Sequence, residues 1–341
     1  MAPSIPTEIA ELPPDVPRRM WSPITATLIA GERDAVLVDA LMTAEQADRL
    51  ADWVAASGMN PTTVFVTHGH GDHWFGLGTL FERFPGARAV ATPAVVEQMK
   101  KQMAPEFVAS FWDKRFPGRI PDRLVAAEPL AGDRLEREGH DLVVVGLGHT
   151  DTDDTPCLHV PSICPHVSSI GLVVAGDAVY NDVHLYLAAS PAEGRRAWLD
   201  ALDTIAALEP EAVVAGHKNP DRPDDPKAIA ETRRYIHDFE AVAEHTETTL
   251  DLYRGMSELR PGRVNQGTVG LGEVRQGLTG RAVAARSHHG RGARRWEASA
   301  ECVSDVQMLL PPTHPSGTAC KGEPTGPDAE LRETDTRHSE S

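Results

Sequence analysis

Apolar residues along this chain fall into short blocks of two kinds. One kind is continuous or alternating and β-branched; the other recurs at helical spacing. Residues 24–30 and 35–39 read as two strands split by the Gly-Glu-Arg-Asp turn at 31–34. Leu50, Trp53 and Val54 then predict a helix over 43–57, with Thr43 as N-cap and Gly58 as stop. The run TTVFVT at 62–67 predicts a buried strand that ends directly in HGHGDH at 68–73. Segments 75–84, 93–103 and 105–115 read as helical. From 124 to 176 the pattern shortens into strands, clearest at 141–146 and 171–176. Trp198, Leu199, Leu202, Ile205 and Leu208 give an amphipathic helix over 191–208. A strand at 212–217 and a long helix over 226–254 follow. Strands followed by helices, twice over, predict an α/β fold of two packed sheets with helices outside.

The ends read differently. Residues 1–20 are proline-rich and aperiodic, which predicts an extended N-terminal arm before a domain over 21–254. Residues 255–341 are rich in glycine and contain a single aromatic residue, Trp296; a low-order tail is expected, disordered from about 270, because such a segment cannot bury enough apolar surface to offset chain entropy. Inside the domain, residues 157–163 are followed by a near copy at 164–170, which differs only at Leu158/Pro165 and Pro161/Ser168. This tandem copy is too short for a solenoid unit and is expected to lengthen a hairpin, carrying His159 and His166 along.

Composition narrows the partners. The 341 residues carry a formal charge of −17, which argues against nucleic acid and anionic lipid as partners and leaves a small-molecule substrate. No apolar run is long enough to span a membrane, and the N-terminus lacks the basic and apolar regions of a secretory signal. Cys157, Cys164, Cys302 and Cys320 form no CxxC pair, so a reduced, cytoplasmic chain is expected. Whether the helix at 226–254 packs on its own domain or on a second copy, making a homodimer, stays open.

The motif at 68–73 changes the picture most. Three imidazoles and a carboxylate (His68, His70, Asp72, His73) lie just beyond a rigid strand, with Gly69 and Gly71 permitting sharp turns between them. Zinc takes such N and O donors at about 2.0–2.2 Å. Further candidates recur after later strands: His149 in GHT, Asp177 in AGD and His217 in AGH. A solvated histidine-rich loop does not account for seven candidates each placed at a strand end.

HxHxDH followed by GHT, GD and GH resembles the metallo-β-lactamase superfamily over about 22–254. The resemblance implies an αββα sandwich holding two Zn²⁺ ions, with iron or manganese as the other metals such a site takes. It implies one ion on His68, His70 and His149, the other on Asp72, His73 and His217, and Asp177 bridging both. The implied activity is attack of a metal-bridging hydroxide on an acyl carbon, with Asp72 also orienting the nucleophile. An aspartate at 177 is similar to the lactonase and glyoxalase-II branches, so a small cyclic ester or amide is the expected substrate. In lactonases a tyrosine stands three residues after that aspartate, which makes Tyr180 a candidate oxyanion donor. Asp151, Asp153 and Asp154 are expected to repel anionic substrates, to back the ligand imidazoles, or to form a solvated turn. Trp74, Phe111, Trp112, His184 and Tyr186 are candidates for an apolar rim, and Lys218 for a substrate carboxylate. The alternatives are a single-iron sulfur dioxygenase on the same fold, or an impaired relative in which the 157–170 repeat shifts Asp177.

Overall fold

The computed structural model describes residues 2–8, 16–161, 171–187 and 189–266. The second copy of the repeat, with Cys164 and His166, and the tail beyond 266 lie outside the described residues. Near the N-terminus β1 (Ile5–Pro6) pairs antiparallel with β2 (Met20–Trp21), so the described part of the expected arm is extended and paired.

Five strands make the first sheet: β3 (Thr27–Ala30), β4 (Asp34–Val38), β5 (Asn60–Phe65), β6 (Arg88–Ala91) and β7 (Glu128–Pro129), in that spatial order. From β4 to β7 neighbouring strands run parallel. A second sheet has the order β12-β11-β10-β9-β8, built from β8 (Arg134–Arg137), β9 (His140–Gly148), β10 (Thr155–Val160), β11 (Leu172–Asn181) and β12 (Ala212–Lys218). Side chains alternate faces along a strand, and here both faces are apolar. Val36 and Val38 of β4, Phe65 of β5, Val174 of β11 and Val214 of β12 meet in a cluster between the sheets. Their neighbours Ala35, Leu37 and Val64 face outward into one helix-covered cluster, and Val173, Ala175, Val213 and Ala215 into another.

Helices cover those outer faces. On the first sheet lie α1 (Ala44–Ala56), α2 (Leu77–Arg83) and α3 (Pro93–Gln102). The segment expected to be one helix over 105–115 is broken into α4 (Pro105–Phe107), a wider π-type turn over Val108–Trp112 and α5 (Asp113–Arg115). The second sheet is covered by α6 (Ala192–Ala206), α7 (Lys227–Glu244) and α8 (Thr249–Leu259). Thr43 caps α1 as expected, with Gln46 completing a capping box.

Two boundaries differ from expectation. The single helix predicted over 226–254 is two, because Thr248 accepts from Asp251 N and starts a new helix. Contacts also continue past 254: Val264 bridges Val183, and Arg263 donates to the Val183 carbonyl. The repeat leaves the strands it adjoins in register, with Leu158 opposite Val174 and Val160 opposite Leu172. Among the described residues no helix is long and apolar enough to cross a membrane.

Candidate metal centre

The centre lies beyond the C-terminal end of β5, against the C-terminal halves of β11 and β12, which themselves carry Asp177 and His217. Its first brace is Asp39, which follows β4 and adopts a left-handed backbone with φ 62°. Asp39 Oδ1 accepts from Thr67 N at 2.9 Å, and Oδ2 accepts from Thr67 Oγ1 at 2.8 Å and lies 2.9 Å from His73 Nδ1. Because the Thr67 hydroxyl proton goes to Asp39, His68 Nδ1, 3.1 Å away, is the donor to Thr67 Oγ1. A carboxylate and a hydroxyl thus fix two rings with Nε2 turned inward. His217 is placed the same way, with Nδ1 3.4 Å from the Pro23 carbonyl.

The inward atoms converge in two adjoining groups. His68, His70, Asp151 and Asp177 form one, and Asp72, His73 and His217 the other, each with donor atoms within 4.8 Å of one another. Asp177 stands between them. Its Oδ1 lies 3.3 Å from His73 Nε2, and its Oδ2 lies 2.6 Å from His217 Nε2 and 3.8 Å from His68 Nε2. His70 presents Nδ1, 3.0 Å from Asp151 Oδ2. His68 Nε2, His73 Nε2, Asp151 Oδ2 and Asp177 Oδ1 are all buried and make no hydrogen bond. Unpaired polar atoms are costly in a protein interior, and these, spread over the two adjoining groups, fit bound cations. The His70 side chain is 24% exposed, so it marks the open side.

Without a cation these groups perturb one another strongly. Burial, then the charge of His73, pushes His68 down to about 3. Burial also works against a charged His73, but Asp177, Asp72 and Asp39 raise it well above its ordinary value. Burial alone would raise Asp177; the surrounding His217, His73 and His68 hold it well below the usual carboxylate range. Asp72 is raised, chiefly by burial.

Six of the seven residues expected from sequence are in these groups. His149 is not. Both its ring nitrogens are engaged elsewhere, Nδ1 at 2.5 Å from Asp153 Oδ1 and Nε2 at 3.1 Å from Ser190 Oγ. Asp151, two residues on, takes the place beside His68 and His70. Tyr180 is fully buried, and its hydroxyl donates to Asp177 Oδ2 at 3.0 Å. Of the residues expected at a rim, Tyr186 packs edge-on against His70 and Phe111 is partly exposed. Trp74, Trp112 and His184 are buried, with His184 Nδ1 2.8 Å from the Tyr235 hydroxyl. Lys218 is buried and paired with Asp224 at 3.0 Å. His159 sits on β10, outside both groups.

The profile of the metallo-beta-lactamase superfamily, Lactamase_B, matches residues 19–217. The chain belongs to that superfamily. It is a metal-dependent hydrolase of the metallo-beta-lactamase fold, with a His/Asp metal cluster. One solved structure supports the fold. A metallo-beta-lactamase family protein from Thermus thermophilus is similar at 22% identity and TM-score 0.51, over 77% of this chain and 89% of that one. A metallo-beta-lactamase from Erythrobacter litoralis shows 19% identity and TM-score 0.44, over 62% and 83%. One from Pontibacter korlensis shows 16% identity and TM-score 0.44, over 62% and 86%. No curated protein matches.

Two residues of this metallo-beta-lactamase centre were not singled out from sequence as parts of it. Asp39 ends an apolar strand just as Thr67 and His68 do, and a carboxylate at a strand end is the signal that could have found it. Asp151 lay in an acidic turn whose three aspartates sequence could not rank.

Proposed function

We propose that the chain holds two divalent cations, one in each donor group with Asp177 between them, and hydrolyses a small cyclic ester or amide. The observation that carries this reading is the convergence of His68, His70, Asp151 and Asp177 on one side and Asp72, His73 and His217 on the other. When bound, such cations polarise an acyl carbonyl and make water acidic enough to ionise near neutral pH. Zinc takes such imidazole nitrogens and carboxylate oxygens.

The protein's own groups supply the rest. His70 and Tyr186 frame the open side, where a flat ring can lie against the Tyr186 edge. Water oxygen adds to the acyl carbon, the ring C–O or C–N bond breaks, and the proton lost by water reaches the leaving heteroatom. Asp72, buried beside His73, would orient the attacking water. A formal charge of −17 supports an uncharged substrate over an anionic one.

The test is to count metals on the purified chain and to assay lactones, lactams, thioesters and phosphodiesters with and without chelator. Lactone opening is read by proton release and lactam opening by the mass gained from water. Two metals per chain with chelator-sensitive opening of a lactone or lactam is the expected result. The grouping of His68 and His70 with Asp151 favours one second reading, a single-iron oxygenase. One iron per chain with oxygen uptake and no hydrolysis would replace the proposal with that reading.

A further inference from the structure

We infer that Asp151, not His149, is the third protein donor of the His68–His70 group. The inference rests on the reading that the cluster binds metal and specifies which residue binds.

The geometry separates the two candidates. An imidazole ligates through a ring nitrogen lone pair, and both nitrogens of His149 already face partners, Asp153 and Ser190. The ring is also wedged against the first turn of α6: a Cβ placed on Gly194 would lie 2.5 Å from His149 Nε2. Ser190 completes the clamp, donating to the Thr150 carbonyl at 2.6 Å while its own carbonyl accepts from Arg195 at 2.8 Å. His149 is therefore a positioning residue that anchors the 149–155 turn on its outer side.

Asp151 has the opposite arrangement. It is fully buried, and the Thr150 hydroxyl donates to its Oδ1 at 3.0 Å. Its Oδ2 makes no hydrogen bond and lies 3.0 Å from His70 Nδ1 and 3.7 Å from His68 Nε2. One oxygen held and the other left for the centre is how an outer hydrogen bond orients a ligating carboxylate. With Asp151 and Asp177 both present, this group offers two carboxylates to two imidazoles. The other group offers Asp72 to His73 and His217. Asp177 is shared between the two, so with Asp151 each group has two imidazoles, one carboxylate of its own and the shared one.

The experiment uses the full chain, stripped by chelator and re-equilibrated anaerobically with equimolar Mn²⁺, Fe²⁺ and Zn²⁺, then freed of loose metal and measured by elemental mass spectrometry. Wild type is expected to keep two ions. Asp151→Ala and the isosteric Asp151→Asn should keep one. His149→Gln should still reach two at saturation, with affinity reduced by roughly tenfold as for an outer-shell change. Asp151→His should keep two. Far-UV circular dichroism verifies that each variant is folded, and the Asp151→Asn and Asp151→His pair keeps the test open if Asp151→Ala is not. Two ions in Asp151→Asn with one in His149→Gln would overturn the assignment. No metal in wild type would instead remove the underlying metal-centre reading.

Discussion

At the scale of single residues, the centre depends on side chains that never face the cavity. Asp39 is the clearest, since one carboxylate holds the Thr67 backbone, the Thr67 hydroxyl and the His73 ring together. Asp39→Ala should weaken metal binding by roughly 10–100-fold, the usual cost of removing such a partner. Competition with a chromophoric chelator measures it, and unchanged affinity would mean that packing alone orients His73. A second consequence concerns protons. In the metal-free protein His73 is raised well above its ordinary value by Asp177, Asp72 and Asp39, against the effect of burial. It therefore carries a proton at neutral pH, and a cation arriving at Nε2 must displace it. Metal added to the chelated protein in weak buffer at pH 7 should release protons, and His73→Gln should release fewer. Equal release would place the displaced proton on another group.

At the scale of elements, β11 and β12 run parallel side by side, and the centre needs them closer than ordinary side chains allow. A Cβ on Gly216 would sit 2.1 Å from Asp177 Oδ1 and 2.7 Å from the Gly176 backbone carbon. Gly216→Ala should thus push apart the strand ends that carry Asp177 and His217. Metal stoichiometry should fall and the thermal midpoint should drop; a variant that binds two ions at the wild-type midpoint would show that the strands can yield. Much at this scale was readable beforehand. The TTVFVT run, the capping residue Thr43 and the paired strands before Asp177 and His217 carry their periodicity in the sequence. What was not readable has a local cause. The turn after β9 offers His149, Asp151, Asp153 and Asp154 within six residues, and which of them faces inward depends on Ser190 and Gly194, some forty residues away. The break between α7 and α8 turns on one capping threonine within an otherwise helical pattern.

For the whole molecule, the sandwich buries titratable groups far from the centre as well as within it, and these tie its stability to pH. His184 sits between β11 and the 260–266 segment, with Nδ1 on the Tyr235 hydroxyl and Nε2 buried without a hydrogen bond. Burial, followed by the charge of Arg263, lowers it from 6.5 to about 3. Because the folded value lies below the unfolded one, only the unfolded chain takes up this proton between those limits. The stability is whole above about pH 6.5 and declines as pH falls toward 3, by up to ~1.4 kcal/mol per pH unit for one such group. His68, also lowered to about 3, adds a second contribution of the same sign in the metal-free protein. Chelated wild type should therefore lose stability steeply between pH 6 and pH 4 in urea titrations. His184→Gln should be less stable at pH 7 yet show a shallower slope over that range. Saturating metal at pH 6 should remove the His68 share but leave that of His184, since the two lie in different parts of the fold. An identical slope in His184→Gln would mean that His184 is protonated in the folded state, and that the Tyr235 hydroxyl accepts from it rather than donating to it.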